Sequence, residues 1–72
     1  MTVIEHDSVE QLESRFRTEK EARRAKRLWM VLQARRGETA QQIADRVGFT
    51  ARSVQGWIQR YNAEGIPGLA DG

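Results

Sequence analysis

The sequence contains no cysteine, only one proline and one histidine, and no long apolar run. Without cysteine, the chain has neither a disulfide framework nor a thiolate metal site. No apolar run approaches the roughly 20 residues that cross a bilayer, and the N-terminal MTVIEHDS lacks the basic-then-apolar order of a signal peptide. At 72 residues the chain is one domain at most, with a small core. These absences predict a cytoplasmic domain that folds without covalent or metal cross-links.

Residues that carry catalysis are equally scarce. His6 is the only histidine, and because it lies in a segment that we expect to be frayed, we assign it no role. No carboxylate pair and no Ser/His arrangement indicates catalysis, and the sequence GIPG is too short to hold a phosphate. We therefore predict that the chain is not an enzyme and has no cofactor, metal, small-molecule substrate or membrane partner.

Charge is unevenly distributed along the chain, although the net charge is only +2. Residues 1–17 carry four acidic side chains and two arginines, whereas residues 18–36 carry seven basic side chains and two acidic ones. A segment with this excess of positive charge attracts polyanions. The alternative interpretation is a helix face that is simply solvated.

Two helices are predicted in the first half of the chain. The first covers residues 9–17. Thr18 and Glu21 have the spacing of a capping box and predict the start of a second helix, which Gly37 ends. A single helix over residues 9–36 is the alternative. The side chains that share the inward face of the second helix are Ala22, Ala25, Leu28, Trp29 and Leu32.

Two further helices are predicted in the second half, and no strand. Thr39 and Gln42 form another capping-box pattern, and Gly48 ends the third helix. Thr50 is the expected N-cap of the fourth helix, which Gly65 ends, and the rest is expected to be an extended tail. Apolar side chains recur in the fourth helix at the i, i+3, i+4 and i+7 positions Val54, Trp57, Ile58 and Tyr61.

Residues 40–59 have the features of a helix-turn-helix. In this motif a short helix and a tight turn let a second helix enter the major groove of DNA. Ala44 is small enough for the two helices to approach closely, Gly48 supplies the turn, and Phe49 is expected to plug it. The apolar face of the fourth helix would then pack on the core and leave its opposite face to contact DNA.

The exposed face of the fourth helix carries side chains suited to base edges. Arginine pairs with guanine, glutamine pairs with adenine, and alanine can meet a thymine methyl group. The predicted base-contacting residues are Thr50, Ala51, Arg52, Gln55, Gly56 and Gln59. Gly56 is a point of close approach to DNA, a tolerated weak helix position, or a position packed against another helix. Basic side chains and helix starts are expected to hold phosphates, namely Arg23, Arg27, Arg35, Arg36, Thr39, Gln41, Gln42, Ser53 and Arg60.

The stretches RRAKRLWMVL, GETAQQIADRVG, SVQGWIQRYNAEG and GIPGLAD carry a family resemblance. Together they resemble the N-terminal helix-turn-helix of insertion-sequence transposases of the mariner-like superfamily. That resemblance implies binding to terminal inverted repeats, with Arg52, Gln55, Gln59 and Arg60 at or beside the bases, and a linker starting at GLAD. Two features depart from the family pattern. The metal-binding carboxylates of a transposase are absent, and Gly56 replaces a longer polar or basic residue.

The expected fold is therefore all-α, a small homeodomain-like helical bundle that contains a helix-turn-helix and no strands. Residues 1–17 would form an arm and a short helix, residues 18–64 the DNA-binding unit, and residues 65–72 an exit tail. The expected partner is double-stranded DNA at a transposon end. One alternative is a stand-alone dimeric transcription regulator, whose two half-sites lie about one helical turn apart. Another is a protein-interaction module, in which Met30 and Val31 lie on the outward surface of the second helix and contact a partner or a second copy.

Overall fold

Four α-helices and one short 3-10 helix surround the core in the computed structural model, which describes residues 2–70. The α-helices are α1 (Val9–Thr18), α2 (Ala22–Arg35), α3 (Ala40–Val47) and α4 (Ala51–Glu64), and the 3-10 helix covers Ile66–Leu69. No strand occurs in this range. The predicted all-α bundle is confirmed.

The helix starts follow the capping residues seen in the sequence. At the start of α3, the Thr39 hydroxyl accepts the Gln42 N–H at 3.1 Å, and the Gln42 side chain accepts the Thr39 N–H at 2.8 Å. Ser8 and Gln11 form the same reciprocal pair before α1. Each pair satisfies two N–H groups that the first turn leaves without a helical partner. The predicted start of the third helix is therefore confirmed.

The start of α2 differs from the prediction. Thr18 belongs to α1, because its hydroxyl donates to the Ser14 carbonyl oxygen one turn earlier, at 3.1 Å. Glu21 is the N-cap of α2, and its carboxylate accepts the Arg23 N–H at 3.0 Å. A threonine hydroxyl that bonds back into its own helix is not available to cap the next one. The prediction that Thr18 caps the second helix was wrong, and so was the alternative prediction of one helix over residues 9–36.

Helix α2 lies at the centre of the fold, in contact with α1, α3, α4 and the 3-10 helix. Met30 and Val31 are fully buried, as is Leu28. The prediction that Met30 and Val31 face outward was wrong, because elements pack on α2 from more than one side. Ala22, expected to face the core, is instead exposed in the first turn of α2.

Helix α4 buries the apolar stripe that its spacing indicates. Val54, Ile58 and Tyr61 are buried, whereas Trp57 is only partly buried. Burying a large aliphatic or aromatic side chain contributes roughly 1.5–3 kcal/mol, so this stripe holds α4 on the core. One side of α4 is thereby committed to the interior.

Residues 65–72 were predicted to form an extended tail, but within the described residues the segment after α4 is a 3-10 helix that closes the core. Residues 71 and 72 of the predicted tail lie outside the described residues. Gly65 ends α4 with a positive φ of 72°, and Leu69 is fully buried. A Cβ on Gly68 would lie 2.5 Å from the Arg60 carbonyl oxygen, a contact that only glycine avoids. The two apolar residues of IPGL were too few to show a helical period, so their burial could not be read from spacing.

Residues 2–7 lie along α4 and are not a free end. The Asn62 side chain accepts the Ile4 N–H and donates to the Thr2 carbonyl oxygen, both at 2.8 Å. His6, expected to be frayed and without a role, has its Nε2 2.7 Å from the Asn62 carbonyl oxygen. That expectation about the environment of His6 was wrong, because the side chain and carbonyl group of Asn62 on α4 hold the segment.

A second set of contacts joins the same segment to the middle of the fold. The Tyr61 hydroxyl donates to Asp7 Oδ2 at 2.8 Å, and Arg35 of α2 donates to the Asp7 carbonyl oxygen at 2.6 Å. Burial, together with the bond to Asp7, raises the pKa of Tyr61 above its ordinary value of 10.0. Asp7 therefore ties the N-terminal segment to both α2 and α4.

Candidate nucleic-acid interface

Helices α3 and α4 and the turn between them have the geometry of a helix-turn-helix. Helices α3 and α4 are in contact. Ala44 of α3 and Val54 of α4 are both fully buried. Gly48 adopts a left-handed conformation, with φ of 73°. The N–H groups of Gly48 and Phe49 both donate to the Ala44 carbonyl oxygen, at 2.9 and 3.1 Å. The turn is therefore held by backbone bonds around a glycine.

Phe49 was predicted to plug this turn. That prediction was wrong, since the residue remains 39% exposed. Its ring lies beside α2, where the Lys26 ammonium group is 5.2 Å from the ring centroid. Phe49 therefore faces the start of α2 and not the interior of the turn.

The outward face of α4 contains four of the six residues predicted to contact bases. Arg52, Gln55, Gly56 and Gln59 are all exposed. Within residues 2–70, the side chains of the arginine and the two glutamines make no hydrogen bond or ion pair. Their polar groups are thus available to a ligand.

The other two predicted base-contacting residues are placed differently. Ala51 is partly buried and packs against the core, so its expected outward position was wrong. Thr50 is exposed, but its hydroxyl caps α4 by accepting the Ser53 N–H at 3.1 Å. Both residues begin the helix, where the chain is still close to α3.

Gly56 is at the middle of the outward face and is not packed against another helix. A Cβ added there would meet no atom within 4 Å among the neighbours considered, which excludes the packing explanation. A glycine in a helix interior costs about 1 kcal/mol relative to alanine. The remaining explanations are a tolerated weak position and close approach of a ligand.

One flank of α4 faces the start of α3. Thr39, Gln41 and Gln55 line a concavity between these two helices. Thr39 is engaged in the capping box, and Gln41 donates to Asp45 at 2.8 Å. The donors that this flank presents are the backbone N–H groups in the first turn of α3 that the capping box does not use.

The opposite flank of α4 is basic and is organised around Trp57. The guanidinium carbons of Arg27 and Arg60 lie 3.8 and 4.8 Å from the centroid of its ring system. Arg27 also donates to the Leu69 carbonyl oxygen at 3.0 Å, while Arg60 and Ser53 are exposed. The indole ring attracts both cations and holds them beside the outward face.

The two arginines at the end of α2 are not part of this surface. The Arg35 side chain is only 13% exposed and lies 3.6 Å from the Glu5 carboxylate. Arg36 pairs with Glu13 of α1. The acidic residues near the N-terminus thus turn both arginines towards the arm and α1, which the helix-end position alone did not indicate.

The structure adds two residues to the surface beside α4. Thr2 and Asn62 line a second concavity together with Gln55 and Gln59. Sequence analysis missed both, because the contact joins residues 60 positions apart and Asn62 is a single polar residue within a helix. No local pattern in the sequence could have indicated it.

Helices α2, α3 and α4, with the exposed face of α4, define a small helix-turn-helix domain. The family of homeodomain-like domains matches residues 18–70, and the chain belongs to this family. Comparisons with curated proteins and with solved structures give no match. Across residues 2–70, no helix has both the length and the apolar character needed to span a membrane.

Proposed function

We propose that this chain binds double-stranded DNA sequence-specifically, with α4 in the major groove. The supporting observation is the exposed face of α4, where Arg52, Gln55 and Gln59 have no partner within residues 2–70. An α-helix fits the major groove, in which arginine pairs with guanine and glutamine with adenine. The buried opposite face fixes the direction in which these side chains are presented.

The flanks of α4 would hold the two phosphate backbones. On one flank, the first turn of α3 directs N–H groups towards an anion. On the other, Arg60 is exposed and its guanidinium group lies against Trp57, and the exposed Ser53 lies two turns earlier on the same side of α4. Arg23 and Arg27 extend this basic flank along α2. Phosphate contacts of this kind orient a helix in the groove, whereas the base contacts select the sequence.

The biological site that we propose is a transposon end, bound by a recognition domain without its catalytic part. Support comes from the resemblance of RYNAEGIPGL and the preceding segments to mariner-like transposases. A stand-alone dimeric regulator is the second candidate. Selection of bound oligonucleotides from a random pool distinguishes them, since a long single site favours the first and a short palindrome the second.

The DNA-binding proposal is tested by exchanging one arginine at a time. Arg52→Ala should weaken binding to the selected duplex by about 1–3 kcal/mol and relax the preference at one base pair. Arg17→Ala is the matched control, because it removes the same charge from an exposed position on α1. Binding is measured by fluorescence anisotropy at fixed salt. Equal affinities of the two variants, or no enrichment of any sequence by the unmodified chain, would contradict the proposal.

A further inference from the structure

Nothing in the described part of the chain requires residue 56 to be glycine. Gly56 lies within α4, away from either helix end, and is not among the glycines with positive φ. Open space surrounds the position of a Cβ. Alanine would be a better helix former there. Of the two remaining explanations for Gly56, close approach of a ligand is the one that gives the glycine a function, and it places the reason for the glycine outside the chain.

We propose that Gly56 is a specificity-determining position, at which the methyl group of a thymine seats against the glycine Cα. This inference depends on the proposed binding of α4 in the major groove. On the surface of α4 the neighbours of Gly56 are the residues three and four positions away, Arg52, Ser53, Gln59 and Arg60, all of them exposed. The missing Cβ therefore leaves the apolar Cα of Gly56 uncovered between polar side chains. The thymine methyl is the apolar group that B-DNA displays in its major groove.

The neighbouring glutamine indicates which base pair is involved. Gln59 follows Gly56 by three positions, and side chains at this spacing lie about 5–6 Å apart on the same helix face. A glutamine pairs with adenine, whose partner in the same base pair is thymine. One A·T pair can thus offer its adenine to Gln59 and its methyl group to Gly56.

The test combines a protein substitution with a DNA substitution. The unmodified chain and Gly56→Ala are titrated with the selected duplex and with duplexes in which each thymine is replaced in turn by deoxyuridine, which lacks the methyl group. The unmodified chain should lose about fourfold in affinity at one such position, since one buried methyl group is removed. Gly56→Ala should bind the thymine duplex roughly tenfold more weakly, because its Cβ and the methyl group compete for the same space.

The deoxyuridine duplex should partly restore binding by Gly56→Ala, which shows that the two changes are coupled. The same variant should melt about 4–8 °C higher than the unmodified chain, because alanine favours the helix. Ser14→Ala, on the exposed side of α1, is the control: it also favours its helix but should leave DNA binding unchanged.

Three results would overturn this inference while leaving the proposed DNA binding intact. The first is that Gly56→Ala binds the thymine duplex as tightly as the unmodified chain does. The second is that Gly56→Ala loses the same affinity on every duplex, whether it contains thymine or deoxyuridine. The third is that Gly56→Ala melts at a lower temperature than the unmodified chain. The last would show that the fold itself requires the glycine. Failure of the unmodified chain to select any sequence would instead overturn the proposed function, and this inference with it.

Discussion

At the scale of single residues, the Tyr61 hydroxyl bonds α4 to Asp7 of the N-terminal segment, and Asp7 is in turn bonded to α2. Tyr61 lies on the buried side of α4 and donates to Asp7, whose backbone is held by Arg35 of α2. Burial in the core disfavours the charged phenolate, and the adjacent carboxylate disfavours it further, so the pKa of Tyr61 is raised. The neutral hydroxyl is therefore the form that stabilises the fold.

The raised pKa of Tyr61 predicts a loss of stability in alkali. Tyrosine in the unfolded chain ionises near pH 10. Below that pH both states carry the proton and the stabilisation is fully present. Above it the unfolded state loses the proton first, and the free energy of unfolding should fall by up to about 1.4 kcal/mol per pH unit until the folded-state pKa is reached.

Urea denaturation at a series of pH values measures this decline. In Tyr61→Phe, which lacks the ionisable group, the decline from this source should be absent, and stability at neutral pH should be lower by about 1 kcal/mol. Because Tyr61 is the only tyrosine, the phenolate absorbance of the unmodified chain reports its ionisation directly. The same slope above pH 10 in both proteins would contradict the assignment.

The sequence predicted the environment of some residues but not of others. Val54 and Ile58 are buried and Arg52 is exposed, as their positions in one helix period indicate. The same reasoning failed for Met30. The expectation that Phe49 plugs the turn came from the helix-turn-helix motif and not from a helix period, and it was also wrong. A period shows which residues share a face, but not how many neighbouring elements cover it.

At the scale of secondary-structure elements, the 3-10 helix completes the core between α2 and α4. Leu69 is fully buried although it lies in a segment of only four helical residues. The Leu69 carbonyl oxygen accepts a hydrogen bond from Arg27, whose guanidinium group also lies against Trp57. This short element therefore helps to position the basic flank of α4.

Burial of Leu69 predicts that its truncation destabilises the whole fold. Leu69→Ala should lower the free energy of unfolding by about 2–5 kcal/mol, through lost burial and the cavity left behind. Ile4→Ala removes a similar side chain that is about half exposed, and should cost far less. Urea denaturation of both variants gives the comparison. A cost for Leu69→Ala no greater than that for Ile4→Ala would mean that the segment does not pack as described.

The elements with local start and stop signals were the ones predicted from the sequence. The reciprocal cap at Thr39 and the glycine at residue 48 lie at the ends of α3, as expected. The start of α2 was misplaced because Thr18 and Glu21 show the same spacing without forming the bonds. Whether a hydroxyl caps the next helix or bonds back into its own depends on where α1 packs, which the local pattern does not contain.

At the scale of the whole molecule, acidic and basic segments that are separate in sequence neutralise each other in part. Glu5 and Glu13 lie beside Arg35 and Arg36 at the end of α2. The positive charge of the middle segment is therefore not all presented to a polyanion. The positive charge that remains beside α4 is carried by Arg60 and Arg27, whose guanidinium groups both lie against Trp57.

This distribution of charge predicts different salt effects for two arginines. Arg60→Gln should reduce the slope of log affinity against log salt by about 0.9, the value expected for one lost phosphate contact. Arg36→Gln should leave the slope unchanged, because this arginine is paired with Glu13. Titrations of one duplex at several salt concentrations provide the slopes. An equal reduction in both variants would show that Arg36 leaves its partner to contact DNA.

The sequence by itself determined the four helices, most of their caps and the inward stripe of α4. These features depend on residues within a few positions of one another, where spacing and side-chain type are sufficient. Only the tertiary structure decided that Met30 and Val31 are buried, that residues 2–7 lie along α4, and which arginines surround it. Those outcomes depend on contacts between distant segments, because the burial or pairing of a side chain is set by the elements that pack against it.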